Sequence, residues 1–97
     1  MAFIEIDYRD TLRKANELDG LARELRSIAS RDLQDLQSGI GRSWRGTPAQ
    51  QYQKRARTLS QKTLSQAKDL EKMARSLRAA AERYRMLEQA AHTIFGF

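Results

Sequence analysis

Of the side chains that commonly do chemistry, this chain of 97 residues carries a single His, His92, and no Cys. One imidazole with no thiol or second imidazole beside it builds neither a metal cage nor a Cys–His couple. His92 falls in the expected last turn of a long helical pattern, where the helix dipole favours a protonated ring. Asp32 and Asp35 share one helical turn, and a solvated helix surface accounts for them. The sequence holds no HExxH, no Gly-rich phosphate loop and no Ser–His arrangement. The reading is a non-enzymatic protein with no catalytic residue, no metal ligand and no cofactor. The groups that remain suit recognition. Trp44 and Gly46 stand in a turn, where an indole can bury its ring between helices and leave its N–H for a partner. Tyr84 and Glu88 are spaced i, i+4 and point to one side of a helix. By residue type alone they are a core tyrosine and a surface acid.

These residues hang on two helices. The stretch Ser43-Trp44-Arg45-Gly46-Thr47-Pro48 clearly interrupts the helical pattern, and it contains the sole Trp and the sole Pro. Gly39, Gly41 and Gly46 offer backbone freedom for leaving the first helix. Thr47 is expected to cap the second, with Pro48 at its first position and Gln50 closing a capping box. Before the turn, apolar residues recur every three or four positions from Tyr8 to Ile40, with Asp7 as cap and Asp10 in the first turn. Leu18, Leu21, Leu25 and Ile28 widen this stripe beyond a single coiled-coil seam, so the first helix should touch more than one neighbour. After the turn, Ala49, Ala56, Thr63, Leu70, Leu77, Tyr84 and Ala91 repeat every seven residues. Tyr52, Leu59, Gln66, Met73, Ala80, Leu87 and Ile94 do the same. This predicts a supercoiled helix pair with these two rows as its seam, Ala67, Ala74 and Ala81 lying beside it. Thr63 and Gln66 are expected to face a wet gap. The expected layout is one helical-hairpin domain over 1–97: helix 1 over 8–40, turn 41–47, helix 2 over 48–91 and an apolar tail 92–97. Residues 2–6 read as an extended lead-in.

A hairpin of this size leaves apolar surface wet, so a partner chain is expected on physical grounds. The formal net charge is +6. Residues 1–46 hold eight basic and eight acidic side chains, whereas residues 47–97 hold ten basic against four acidic. The basic residues of the second helix look spread over several faces, which favours a solvated surface over nucleic-acid binding. No stretch approaches the ~20 apolar residues of a spanning helix. The first residues lack the features of a cleaved secretory signal, so export, if it occurs, is expected to use another route.

The Trp44-Arg45-Gly46 turn at mid-chain, together with Tyr84-x-x-x-Glu88 near the end of the second helix, resembles the WXG (Trp-X-Gly) family. These are the early secreted antigenic target-like proteins of type VII secretion, and the resemblance covers nearly the whole chain. It implies an all-α fold, an antiparallel two-helix hairpin with a Trp-X-Gly turn that dimerises into a four-helix bundle. It also implies a small virulence-associated protein, cytoplasmic before export and then secreted without a cleaved signal peptide. That protein would be a substrate of the system or a co-secreted partner and adaptor. The implied partners are a second copy or a related or acidic helical chain, which could be a larger secreted effector, and the type VII secretion ATPase. In the family's antiparallel dimer, Trp44 and Gly46 of one chain would meet Tyr84 and Glu88 of the other as an export signal. Leu18, Leu21, Leu25 and Ile28 would lie at the dimer interface. The basic second helix departs from the acidic members of the family, and the Pro-Glu helix start common among them is missing. Two alternative readings stand beside this one: a basic nucleic-acid-binding protein, and a membrane-active amphipathic hairpin working through its apolar tail and cationic second helix.

Overall fold

A computed structural model of the chain describes residues 7–43 and 45–96. It is an antiparallel two-helix hairpin, with no strand among the described residues. The first arm comprises α1 (Tyr8–Ser27), a π-helical turn (Ile28–Asp32) and α2 (Leu33–Ser43). The second arm is one helix, α3 (Thr47–Phe95). Its 49 residues at ~1.5 Å each span ~73 Å, which sets the length of a rod measuring 75 × 19 × 17 Å. The extended lead-in proposed for residues 2–6 lies outside the described residues.

Both arms run longer than the periodicity implied. Asp7 caps α1 as expected, its Oδ1 accepting from the Arg9 and Asp10 N–H groups at 3.0 and 3.2 Å. The first arm then continues through Gly39 and Gly41 to Ser43 rather than leaving at Ile40. The lack of a side chain at Gly41 leaves room for Gln53, whose amide a Cβ there would displace. That amide donates to the Gln37 carbonyl at 3.2 Å. The start of α3 also differs from expectation. Gly46, at φ 94°, is the capping residue, and no side chain caps the helix. Thr47 and Pro48 are already inside the first turn. At the other end α3 continues past 91, through most of the supposed tail, to Phe95. Gly96 closes it in the left-handed region (φ 71°), its N–H bonding to His92 O at 2.9 Å.

The seam is where structure and heptad pattern part most. Ala15, Ala22 and Ala29 of the first arm and Ala67, Ala74 and Ala81 of α3 are at most 1 % exposed. Both sets repeat every seven residues, so the arms meet through two ladders of methyl groups. Ser60 continues the α3 ladder, and its hydroxyl donates to the Ala29 carbonyl at 3.0 Å. Such a contact between a side chain on one helix and the backbone of the other requires a close approach. The expected second seam row is turned outward. Tyr52, Leu59 and Met73 are about half exposed, and Leu87 and Ile94 are 68 % and 75 % exposed. The row from Ala49 through Thr63 does pack inward. Thr63 is buried, with its hydroxyl satisfied by Leu59 O at 2.8 Å, so it faces no wet gap; Gln66 is in solvent. The reason is volume. Two helices that face each other with Ala come close together, and the larger residues are pushed to the flanks. Each buried methyl contributes only on the order of 1 kcal/mol, and among the described residues no large side chain is fully buried.

A repeating Ala ladder does not by itself fix register, because a seven-residue slip restores it. Ion pairs on one flank supply what the ladder lacks. Arg26 reaches Glu71 Oε1 at 2.5 Å, and Arg78 reaches Asp19 Oδ2 at 2.5 Å. Slipping α3 by one heptad would set Arg26 against Arg78, or Asp19 against Glu71. Like charges would meet in either direction. The π-turn adds a second constraint. The Leu33 N–H bonds to Ile28 O instead of Ala29 O. The apolar spacings 25→29→33 are two successive fours, and the wide turn absorbs the surplus so that Leu33 and Ile40 still face α3.

Candidate functional site

Gly46 ends the turn at one tip of the rod. Its φ of 94° is a conformation other residues adopt only with strain, and its carbonyl accepts from the Gln50 N–H at 3.2 Å. The helix start therefore depends on glycine here. Trp44 lies outside the described residues, so the packing expected of its ring is not placed.

Tyr84 and Glu88 sit toward the opposite tip. Tyr8, the first residue of α1, marks the step where the two arms stop running side by side. Its hydroxyl donates to Glu82 Oε2 at 3.3 Å, and the Arg85 guanidinium stacks over its ring at 5.3 Å. Arg85 also donates to Glu82 Oε1 at 2.9 Å. Tyr84, half-buried, stands beside this cluster, and Glu88 is exposed one turn further on. Because Arg85 is engaged by Glu82, Glu88 has no ion pair among the described residues. On either side of it the helix carries Met86, Leu87, Ile94 and Phe95, all 59 % exposed or more.

The two halves of the expected signal are not neighbours within the chain. From Gly46 to Tyr84 is 38 residues of continuous helix, ~57 Å. Only a second hairpin running antiparallel to the first could bring a turn beside a Tyr84–Glu88 pair.

The expected interface residues of α1 share one flank. Asp19 and Arg26 lie on the ion-paired side of the Ala15–Ala22–Ala29 line. At 100° per residue, Leu18, Leu21, Leu25 and Ile28 fall on the opposite side. Leu21 is 49 % and Ile28 40 % exposed, while Leu18 and Leu25 are half-buried. On α3 the same construction sets Glu71 and Arg78 on the ion-paired side and Leu59 and Met73 on the other. The hairpin thus has one polar, latched flank and one apolar, open flank contributed by both arms. The α3 half of the open flank was misread as hairpin seam, because heptad spacing alone does not say which of two adjacent rows meets the first partner. The available signal was the second ladder, Ala67, Ala74 and Ala81, matching Ala15, Ala22 and Ala29 in both period and size.

No group of side chains suited to holding a metal occurs among the described residues, and no helix of theirs is long and apolar enough to cross a membrane. Two shallow hollows on α3 are lined largely by Lys and Arg, and two others mix these with acidic or apolar residues. Comparison with known proteins gives one family: the model described as proteins of 100 residues with WXG (WXG100) matches residues 4–89. The matched span includes both the turn at 44–46 and the pair Tyr84 and Glu88. Neither a curated protein nor a solved structure matches the chain.

Proposed function

The chain belongs to the WXG100 family of small helical proteins of the type VII secretion kind, and from that premise we propose that it is exported as a dimer. Members of the family are generally non-enzymatic and typically pair with partners in type VII secretion. In this reading the chain is a substrate of the system, or a co-secreted partner and adaptor for a larger effector. It leaves the cytoplasm without a cleaved signal peptide, and the secretion ATPase is the receptor for its signal.

One observation carries the proposal. Gly46 stands ~57 Å from Tyr84 along a straight helix, and an apolar flank runs between them. A second hairpin, a copy or a related or acidic chain, would cover Leu18, Leu21, Leu25, Ile28, Leu59 and Met73. In the antiparallel sense it would also carry Trp44 and Gly46 of one subunit to Tyr84 and Glu88 of the other. The signal then exists only in the assembled pair, and unassembled chains are not exported.

Glu88→Gln tests this. The side chain is exposed and unpaired, so its stability effect should stay below ~0.5 kcal/mol. Helicity, melting temperature and association should remain wild-type, while secretion into the medium of a type VII-competent host drops. Tyr84→Phe/Glu88→Gln should drop further. Wild-type amounts of both folded variants in the medium would return Tyr84 to a structural role and remove the signal assignment.

A further inference from the structure

Along the sequence the basic residues of the second helix look scattered; the structure gathers them. Taking Ala49 as heptad position a, the seam against the first arm uses positions a and e, and the open apolar row is d. None of the ten Lys and Arg residues of α3 occupies a, d or e. All stand at b, c, f and g; position b borders the first arm, and c, f and g are turned away from it. Arg78 is held by Asp19, Arg85 by Glu82, and Arg57 lies beside the Gln37 amide. Between residues 54 and 75 this leaves Lys54, Arg55, Lys62, Lys68, Lys72 and Arg75. None of the six is ion-paired among the described residues. Of the two acids in the same span, Glu71 is engaged by Arg26, so Asp69 alone opposes them.

The six cations form two shallow hollows. Lys54, Arg55, Thr58, Leu59 and Lys62 line one of about 290 Å³. Lys68, Lys72 and Arg75, with the Arg26–Glu71 ion pair at its edge, line another of about 260 Å³. Lys54 and Lys68, one from each hollow, are fourteen residues apart, ~21 Å along the axis. A single small anion would fill one hollow and leave the other. A linear polyanion spans both. The first hollow also takes in Leu59, 52 % exposed, and Leu64 on the same helix is half-buried. A helix that lies in a bilayer surface sets several large apolar anchors among its cations; here Leu59 alone stands with Lys54, Arg55 and Lys62, and none stands with Lys68, Lys72 and Arg75. The other polar residues of this stretch, Thr58, Gln61 and Ser65, suit phosphate oxygens. No aromatic side chain is interleaved to stack on bases.

We propose that the outward face of α3 over residues 54–75 binds the phosphate backbone of nucleic acid without reading its bases. Leu59, at the edge of the first hollow, also belongs to the apolar flank used for pairing, whereas the second hollow borders the ion-paired flank. The contact is electrostatic, in the range of about 10⁻⁶ to 10⁻⁴ M at physiological salt that such backbone binding shows. It weakens steeply with salt, because each neutralised phosphate releases counterions.

The test is anisotropy of a labelled duplex of mixed sequence titrated with the full chain between ~0.05 and ~0.2 M salt, the range in which backbone contacts are sensitive. Lys68→Gln/Lys72→Gln/Arg75→Gln should weaken binding at least about 10-fold and flatten the log–log salt slope by about 2.7, at 0.9 per lost phosphate contact. The charge-matched variant Arg9→Gln/Arg23→Gln/Arg42→Gln, on the first arm, should stay within about 3-fold of wild type, since it removes no contact to phosphate. Circular dichroism and light scattering should show both variants folded and in the wild-type assembly state. Equal losses in the two variants would reduce the effect to bulk charge and overturn the proposal. So would a duplex left unbound at the lowest salt. Tighter binding to vesicles containing phosphatidylserine than to the duplex, lost in the α3 variant, would replace nucleic acid with a membrane surface.

Discussion

The two long flanks of the hairpin are built from neighbouring rows of the same helices and have opposite characters. On one flank Asp19 meets Arg78 and Arg26 meets Glu71, and the arms are latched to each other. On the other, Leu21, Ile28, Leu59 and Met73 are 40 % to 53 % exposed, and no ion pair joins the arms there among the described residues. Between them runs a seam of Ala that is dry but thin. The latched flank sets which residues of the two arms face each other. The open flank holds large apolar side chains the hairpin has yet to bury, and Met86, Leu87, Ile94 and Phe95 add more toward the end of α3. Register is thus settled within one chain, whereas much of the hydrophobic stabilisation awaits another.

The largest effect should come from making the open flank resemble the latched one. Leu21→Glu/Ile28→Glu removes two large apolar contacts from the expected interface and buries charge there. The dissociation constant should rise on the order of 100-fold, about 2.8 kcal/mol, read by light scattering across a dilution series. The chain should stay helical, as a monomer or as aggregate. Leu59→Glu/Met73→Glu should do the same from the other arm. A wild-type chain that is a stable monomer at micromolar concentration would end the pairing reading altogether.

A change in the seam between the flanks comes next. Ala74 is 0 % exposed and faces the other ladder. Ala74→Leu forces the arms apart and should cost about 1–3 kcal/mol, seen as a lowered melting temperature. Ala79→Leu, at an exposed position of the same helix, should be nearly silent. Equal effects at the two positions would mean that the Ala ladder does not form the contact.

Within the latched flank the expected effects are smaller, because these pairs are partly exposed. Arg78→Glu sets two carboxylates together and should destabilise by about 1 kcal/mol. Asp19→Arg/Arg78→Glu restores an attractive pair in reversed order and should recover most of the loss. Failure of the exchange to recover would remove the charge pattern as a determinant of register.

The smallest effect is at the start of the latched arm. Hydrogen bonds from Lys14 and then Arg13 hold the Asp10 carboxyl below its ordinary value of 3.8. A folded-state pKa below the unfolded one means a contribution present above the unfolded pKa and lost as pH falls through the folded one. Asp10→Asn should therefore be slightly less stable than wild type at neutral pH. The gap should close only as pH drops below ~3.9, the ordinary aspartate range. Parallel melting curves across acid pH would check this, and a gap independent of pH would rule out the carboxylate as its source.

Much of this protein was legible in the chain itself. Apolar spacings of three and four residues set two helices, Asp7 marked where the first begins, and Gly46 with Pro48 marked the break. These are local properties, decided by residue type within a turn or two. The pattern joining the turn to Tyr84 and Glu88 was also visible, since a motif is itself a sequence property. Tertiary structure decided which of two adjacent heptad rows would be the seam. That choice depends on the volumes of both helices at once: Ala67, Ala74 and Ala81 form the seam because Ala15, Ala22 and Ala29 stand opposite. It likewise decided the use of Gly41, where the Gln53 side chain comes from the other arm into the space a Cβ would take. The π-turn left a trace in the two successive fours at Leu25, Ala29 and Leu33. That the surplus would be absorbed there, rather than turning α2 away, followed from the need to keep Leu33 and Ile40 against α3. The gathering of scattered cations into one outward face is a consequence of the same choice, because a face exists only once the helix has a partner to face away from.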